Sequence, residues 1–399
     1  MRLARPAAIL VLACAPALAL AGCGPVAGTS ASAPATNAAT PAANAATLAG
    51  TTPAQPASSH PGRPPATSTR LPYSGPSHSW LRPARTAPRY RASASAAIHA
   101  DHVVGHGSPG SCTSQAVVQA VAAGGVIAFS CGPRPVTIVM TATAKVRNTS
   151  PTVVLDGGGL VTLSGGGVRR ILYLDTCDPA QTWTTSHCQD QATPALTVEN
   201  ITFADGNSSG QVYDGGGGGA IFDRGGQLKV IDARFAGNRC DSTGPDLGGA
   251  AIRALSQYQN RAVEVTGSTF TGGVCSNGGA LSSIGVSWVV QDSTFTGNRA
   301  IGDGANPAQA GIPGGGSGGA IYTGGNDYTV TVDGSVISGN SAREGGGALF
   351  FVSNDKTGTL TIEQSKLRDN PNASFQTAGY PGIFFLGQGH PVVLSSSLS

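Results

Sequence analysis

Lys229, Glu264 and Glu199 have the residue types that proton abstraction beside a carboxylate requires, a base set among acids. In such chemistry a Lys or Arg removes the proton while carboxylates hold a cation such as Ca2+ against the acid group being attacked. Asp333 and Glu363 are the candidate pair for that cation, since like charges side by side need a cation, a proton or water between them. A hydrolytic centre would instead need two or three carboxylates clustered on one outward face. The plainer reading of Lys229 and Glu264 is a solvated ion pair that contributes little to stability. Neither reading needs a cofactor other than Ca2+, and the structural reading needs none.

These residues can meet only if distant parts of the chain stack, and a repeat supplies the register. When the chain is aligned on Phe203, Phe235, Phe270, Phe295, Ile337 and Leu367, the residues seven and five positions upstream are apolar in every unit. They run from Leu196 and Val198, through Leu228 and Val230, to Leu360 and Ile362. Such alternation is the period of a strand with one buried face, followed by a bend and a further inward residue. Val153, Leu155 and Leu160 extend the pattern upstream, and Val393 and Leu398 form a partial last turn. Outward positions then follow: Lys229 and Glu264 stack on adjacent coils with Glu199 on the coil before, and Asp333 stacks on Glu363.

A second signature lies between the anchors. Gly-Gly-Ala followed by Ile or Leu occurs at 218–221, 278–281, 318–321 and 346–349, and 248–252 resembles it with one insertion. Glycine permits a sharp turn, and the small Ala fits a narrow corner before the next residue enters the core. Successive anchors lie 32, 35, 25, 42 and 30 residues apart, so loops of variable length separate fixed strands. The longest step contains Gly302 to Gly319, expected to project as a loop. A step of 25 residues is too short for a four-stranded propeller blade, which needs about 40, and long enough for one coil of three short strands.

Eight Cys are present; Cys14 lies in an apolar leader and Cys23 directly after Leu20-Ala21-Gly22, which leaves six. Six thiols allow 15 connectivities. Cys240 and Cys275 each lie five residues after an anchor, so stacking sets them one strand spacing apart and predicts a disulfide. Cys177 and Cys188 would then close a small loop around Trp183, and Cys112 with Cys131 would fasten a short helix to a strand. That helix starts at a Ser114 cap, buries Val117, Val118 and Val121, stops at Gly124 and leads into a strand from Val126 to Phe129. Asn238, Asn298, Asn340 and Asn370 recur three residues after an anchor, where Asn serves turns and stacked amide ladders. Trp288 occupies a core position, whereas Trp183, Tyr213, Tyr258, Tyr322 and Tyr328 lie near loops where an aromatic ring could stack on a sugar.

The Gly-Gly-Ala motifs, together with Phe235 to Asn238 and Phe295 to Asn298 and the variants at Ile337 to Asn340 and Leu367 to Asn370, are similar to the repeats of chlamydial polymorphic outer membrane proteins. Over roughly residues 110–399 the chain thus resembles the pectate-lyase-like superfamily. The resemblance implies an all-β, right-handed single-stranded parallel β-helix with an N-terminal helical cap. It also implies an adhesive, surface-exposed role, or alternatively polysaccharide lyase or related hydrolase activity; a passive surface scaffold is the third reading. The Gly-His-Gly segment of polygalacturonase-like sites is matched only by Gly105, His106 and Gly107, which precede the coils.

The remaining sequence places this solenoid. Arg2 and Arg5 precede an apolar run from Ala7 to Ala21 that is short for a membrane span, so residues 1–22 read as an export signal. The following Cys23 reads as the lipid-bearing residue of a lipoprotein, a membrane tether without a transmembrane helix. Residues 23–100 are rich in Ala, Pro, Ser and Thr and read as a disordered stalk, 101–135 as the cap and 136–399 as the β-helix. Residues 1–100 contain eight Arg and no acid, whereas the rest has 16 basic and 21 acidic residues. The expectation is an extracytoplasmic, lipid-anchored protein that meets a polysaccharide, a cell-wall polymer or a neighbouring cell, and not nucleic acid.

Overall fold

The computed structural model describes residues 99–399 apart from 183, 213–214, 306–310 and 313. The export signal, Cys23, the stalk up to residue 98, Trp183 and Tyr213 therefore lie outside the described residues. The described chain is all-β but for one α-helix and two short 3-10 turns, with strands pairing in parallel in sheets of 17, 8 and 3 strands. Neighbours in each sheet come from successive coils, which makes a parallel β-solenoid. One coil runs through Ile221–Arg224 in the eight-stranded sheet, then Gln227–Ile231 and Arg234–Ala236 in the long sheet. Arg239 then bridges towards the short sheet, and a loop returns the chain to Ile252–Ala254, one coil further on.

Alternation fixes which side chains enter the coil. Leu228 and Val230 are buried between the pairs Leu196 and Val198 below and Val263 and Val265 above, while Lys229 points outward. A sharp bend follows, and its first residue has a positive φ in successive coils: Asn200, Asp232, Gly267, Asp292, Gly334, Gln364 and Ser395. Gly, Asn and Asp adopt this left-handed conformation most readily. The next residue is Ser in five coils, 268, 293, 335, 365 and 396, and these form a hydroxyl ladder. Ser335 Oγ, for example, donates to Asp333 O at 2.9 Å and accepts the Ser293 N–H at 3.0 Å.

The anchors stack at the centre. Phe203, Phe235, Phe270 and Phe295 lie ring over ring with centroids 5.2, 4.7 and 4.6 Å apart, and Ile337, Leu367 and Leu398 continue the column. Upstream of Phe203 the column is continued by Leu163 and not by Leu160, which is only half-buried. The register shifts between Asp156 and Val161 because three glycines enlarge the bend there, so a fixed offset from Leu155 lands three residues short.

The corner motif needs a similar correction. Ile252 pairs with Ile221 and Leu281, so Gly249, Ala250 and Ala251 occupy the Gly-Gly-Ala positions with Ala for the second Gly and no insertion. The first Gly is the conformationally demanding one, with φ of +62° at Gly218, +71° at Gly249 and +52° at Gly278.

The helix α1, Ser114–Ala123, buries Val117 and Val121 and packs on the strands Ala144–Lys145 and His102–Val104. Its cap is Thr113, whose Oγ1 accepts the Ala116 N–H, because Ser114 Oγ is engaged by Thr141. His102–Val104 and Gly125–Phe129, within the segment read as a cap, already belong to the long sheet. Within Gly302 to Gly319, residues 302–305 and 314–319 lie against neighbouring turns, while Gly311 and Ile312 are exposed. Gly302 and Gly316 donate to Ser276 O, and Gly304 and Ala305 donate to the buried Glu344 Oε1, so neighbouring turns satisfy their backbone. Disulfides join Cys112 to Cys131, Cys177 to Cys188 and Cys240 to Cys275, the last across adjacent coils with Cα atoms 4.8 Å apart.

Candidate functional site

Lys229 and Glu264 are opposite each other on adjacent strands, with Nζ 2.9 Å from Oε2 and about half of each side chain exposed. Glu199 does not complete a trio with them. Thr197 is opposite Lys229, whereas Glu199 faces Ile231 and, on its other side, Asp156. Partial burial, and then repulsion from Asp156 and Asp232, raise the Glu199 pKa. Asp156 Oδ1 accepts the Gly158 N–H and an Asn200 Nδ2 proton, so one of its oxygens serves the bend.

Asp333 is opposite Glu363 in the next coil and opposite Gln291 in the previous one. Asp333 Oδ1 is buried without a hydrogen-bond partner. Among the described residues no group of three or more His, Cys, Asp or Glu is arranged to hold a metal ion. Two carboxylates on one sheet face supply fewer protein ligands than the six to eight oxygens Ca2+ takes up.

The four repeat asparagines are buried and serve the backbone. Asn298 Nδ2 donates to Phe270 O and to Asn340 Oδ1, and Asn340 Nδ2 donates to Phe295 O and to Asn370 Oδ1. Trp288 is buried with Nε1 donating to Ser283 Oγ at 2.8 Å. Tyr328 is also buried, its hydroxyl donating to Val352 O, and burial raises its pKa. Tyr322 stacks on Phe350 at 5.0 Å, its phenol pushed up to about 12 chiefly by burial. Tyr258 sits in a 3-10 turn under the Arg261 guanidinium.

A polar cluster absent from the sequence reading lies on the eight-stranded sheet beside the Cys177–Cys188 loop. Lys145 Nζ is 3.1 Å from Asp178 Oδ2 and 5.0 Å from the Tyr173 ring centre. The Tyr173 hydroxyl donates to Asp175 Oδ2 at 2.9 Å, and the Cys177 N–H donates to Oδ1, which lies 3.9 Å from Arg224 Nε. Burial raises the Asp175 pKa against the opposing pull of the Cys177 hydrogen bond and the Arg224 charge. Nearby, the buried Arg170 lies over the Tyr173 and Phe222 rings and donates to the carbonyls of Gly217 and Gly218. The signal that locates this face is the residue after each corner Ile or Leu: Phe222, Arg253, Ser282, Tyr322 and Phe350 form one column with Tyr173.

No helix among the described residues is long and apolar enough to cross a membrane. Comparison with known proteins returns no matching family model, no matching curated protein and no matching solved structure.

Proposed function

We propose that this chain is a lipid-anchored surface protein whose right-handed parallel β-helix, capped at its N-terminal end by α1, binds an extracellular glycan or wall polymer without cleaving it. One observation carries this reading. Inward positions are committed to aliphatic and aromatic stacks and to amide and hydroxyl ladders, while outward positions form straight columns, mostly polar but interrupted by Ile231, Val289, Val392 and Leu394, at the strand spacing of about 4.8 Å. Such a surface meets a polymer at repeating intervals. The pectate-lyase-like repeats support the handedness, burial of Val117 and Val121 supports the capping role, and Leu20 to Cys23 supports the anchor. The exposed Lys229–Glu264 pair, with Glu199 apart from it, supports a non-catalytic surface.

A specific observation favours polysaccharide cleavage as the second reading: Asp175 has a raised pKa and is bonded to Tyr173 beside the partly exposed Arg224 and near Lys145. The test is incubation of the purified chain with uronate and neutral polysaccharides, with and without Ca2+, following both binding and unsaturated products. Binding without product is the expected result. Cleavage abolished by Asp175→Asn or Lys229→Ala would establish the enzyme instead, and neither binding nor product would leave a passive scaffold.

A further inference from the structure

Asp223 has no exposed surface and points into the solenoid, in a column with Leu174 of the preceding coil and Ala254 and Ser283 of the next two. Its Oδ2 accepts a hydrogen bond from Gln257 Nε2, and its Oδ1 is buried without a partner. Burial raises its pKa well above 3.8, outweighing the hydrogen bond from Gln257, and Asp175 on the preceding strand adds repulsion. The cations of the surrounding elements are engaged elsewhere. Arg224 lies 3.9 Å from Asp175, Arg253 donates to Ser282 Oγ and Asp246 O, Lys229 pairs with Glu264, and Arg261 donates to Gln227 Oε1.

Gln257 reaches this acid from an enlarged corner. The connection from Ile252–Ala254 to Val263–Thr266 takes residues 255–262, whereas the preceding coil turns through Gly225 and Gly226 and the following one through residues 285–287. Within 255–261 only Gln257 is buried. Its Oε1 accepts the Leu228 N–H at 2.9 Å, at a place where the ladder to the following strand starts only with Lys229, and its Nε2 also donates to Ser256 O at 2.8 Å. The side chain thus fills a gap in the wall of the coil. The turn that carries it is strained, with φ of +50° at Gln259 and +54° at Asn260, and the Gln259 N–H donates to Asp190 Oδ1 at 2.7 Å.

We propose that Gln257 is a pH-operated gate: when Asp223 gives up its proton, the 255–261 turn swings outward and lets water reach the carboxylate, while the coils on either side stay paired. One hydrogen bond does not solvate a carboxylate in a dry interior, and the unpaired oxygen would be left bare. The turn is the short route to water because little of it is buried, and release relieves its two left-handed residues. The closed form keeps its proton above pH 3.8 and the open form does not. Opening therefore grows more favourable as pH climbs, and levels off once the closed form ionises too. Opening also breaks the bond to Asp190, which follows the Cys177–Cys188 loop, so the edge of that loop loosens with it.

The test is hydrogen exchange of the full chain as a function of pH, corrected for intrinsic rates. The Leu228 and Tyr258 amides, which bond to Gln257 Oε1 and Gly226 O, should open roughly tenfold more per pH unit above 3.8 until the rise levels off. The Asn298 amide, held in the distant asparagine ladder, should exchange more slowly throughout. Asp223→Asn and Asp223→Ser, the second matching Ser283 in the same column, should each abolish the pH dependence. Asp175→Asn should keep it over a narrower range, because the repulsion that raises the Asp223 pKa is gone. Exchange at 228 and 258 no faster than at 298 would overturn the gate. So would a pH dependence that survives in either folded Asp223 variant, or one that vanishes in Asp175→Asn.

Discussion

Replacing Asn340 by Ala tests whether the amide ladder stabilises the solenoid beyond its local turns. Asn340 Oδ1 accepts the Asn298 N–H at 3.0 Å and an Asn298 Nδ2 proton at 2.8 Å. Its own Nδ2 donates to Phe295 O at 3.1 Å and to Asn370 Oδ1 at 2.9 Å. Two of the partner groups keep other bonds, since Asn298 Nδ2 still donates to Phe270 O and Asn370 Oδ1 still accepts the residue 340 N–H. The Asn298 N–H has no such substitute, and stranding a buried donor costs about 1–3 kcal/mol. With about 1 kcal/mol for each of the other three bonds lost, Asn340→Ala should destabilise by about 4–6 kcal/mol. Asn238→Ala is the internal reference. It loses only the bonds to the Gly206 N–H and Phe203 O, because the next coil has Gly273 at the ladder position. Its cost should be lower by about 2 kcal/mol, the part that belongs to stacking. Urea denaturation followed by circular dichroism gives the totals, and hydrogen exchange at the residue 298 amide gives the local value, needed because stacked coils can open in parts. Equal costs at 238 and 340, or unchanged protection at 298, would refute a ladder contribution.

Burial raises the Asp223 pKa well above 3.8, against the hydrogen bond from Gln257, while Asp175 adds repulsion. Its contribution to stability is whole below pH 3.8 and is lost as pH climbs through the raised folded value, so Asp223→Asn should flatten the fall in stability seen in urea titrations above that pH. Replacing Cys240 and Cys275 together by Ser should cost about 2–4 kcal/mol in denaturation experiments, since the bond closes a long loop between coils. Lys229→Ala should change stability by less than about 1 kcal/mol, measured the same way, because both partners of its ion pair are half exposed.

The columns were legible because offsets within each unit stay constant while the loops absorb length changes. Phe235 over Phe270, Val290 beside Val265 and Asp333 beside Glu363 all follow from counting. Counting fails where extra residues fall inside a unit, as the glycines before Leu163 do. The serine ladder is not legible for a different reason: serine is common in turns, and what distinguishes Ser268, Ser293, Ser335, Ser365 and Ser396 is the bond each hydroxyl position makes with the neighbouring coil. Tyr173 and Asp175 share one strand, while Lys145 and Arg224 lie on the strands of the coils on either side and Asp178 in the following loop, so only the register of the strand after each corner brings them together. Glu199 was set on the right coil but two positions from Lys229, a distance that separates side chains along a strand.

The connections between the short sheet and each Gly-Gly-Ala corner differ widely in length, yet the coils they join remain in step. Segments grafted there would meet little thermodynamic resistance, since closure entropy rises slowly with length. Such a scaffold can diversify its surface one storey at a time, altering what a single level displays without renegotiating the levels above and below.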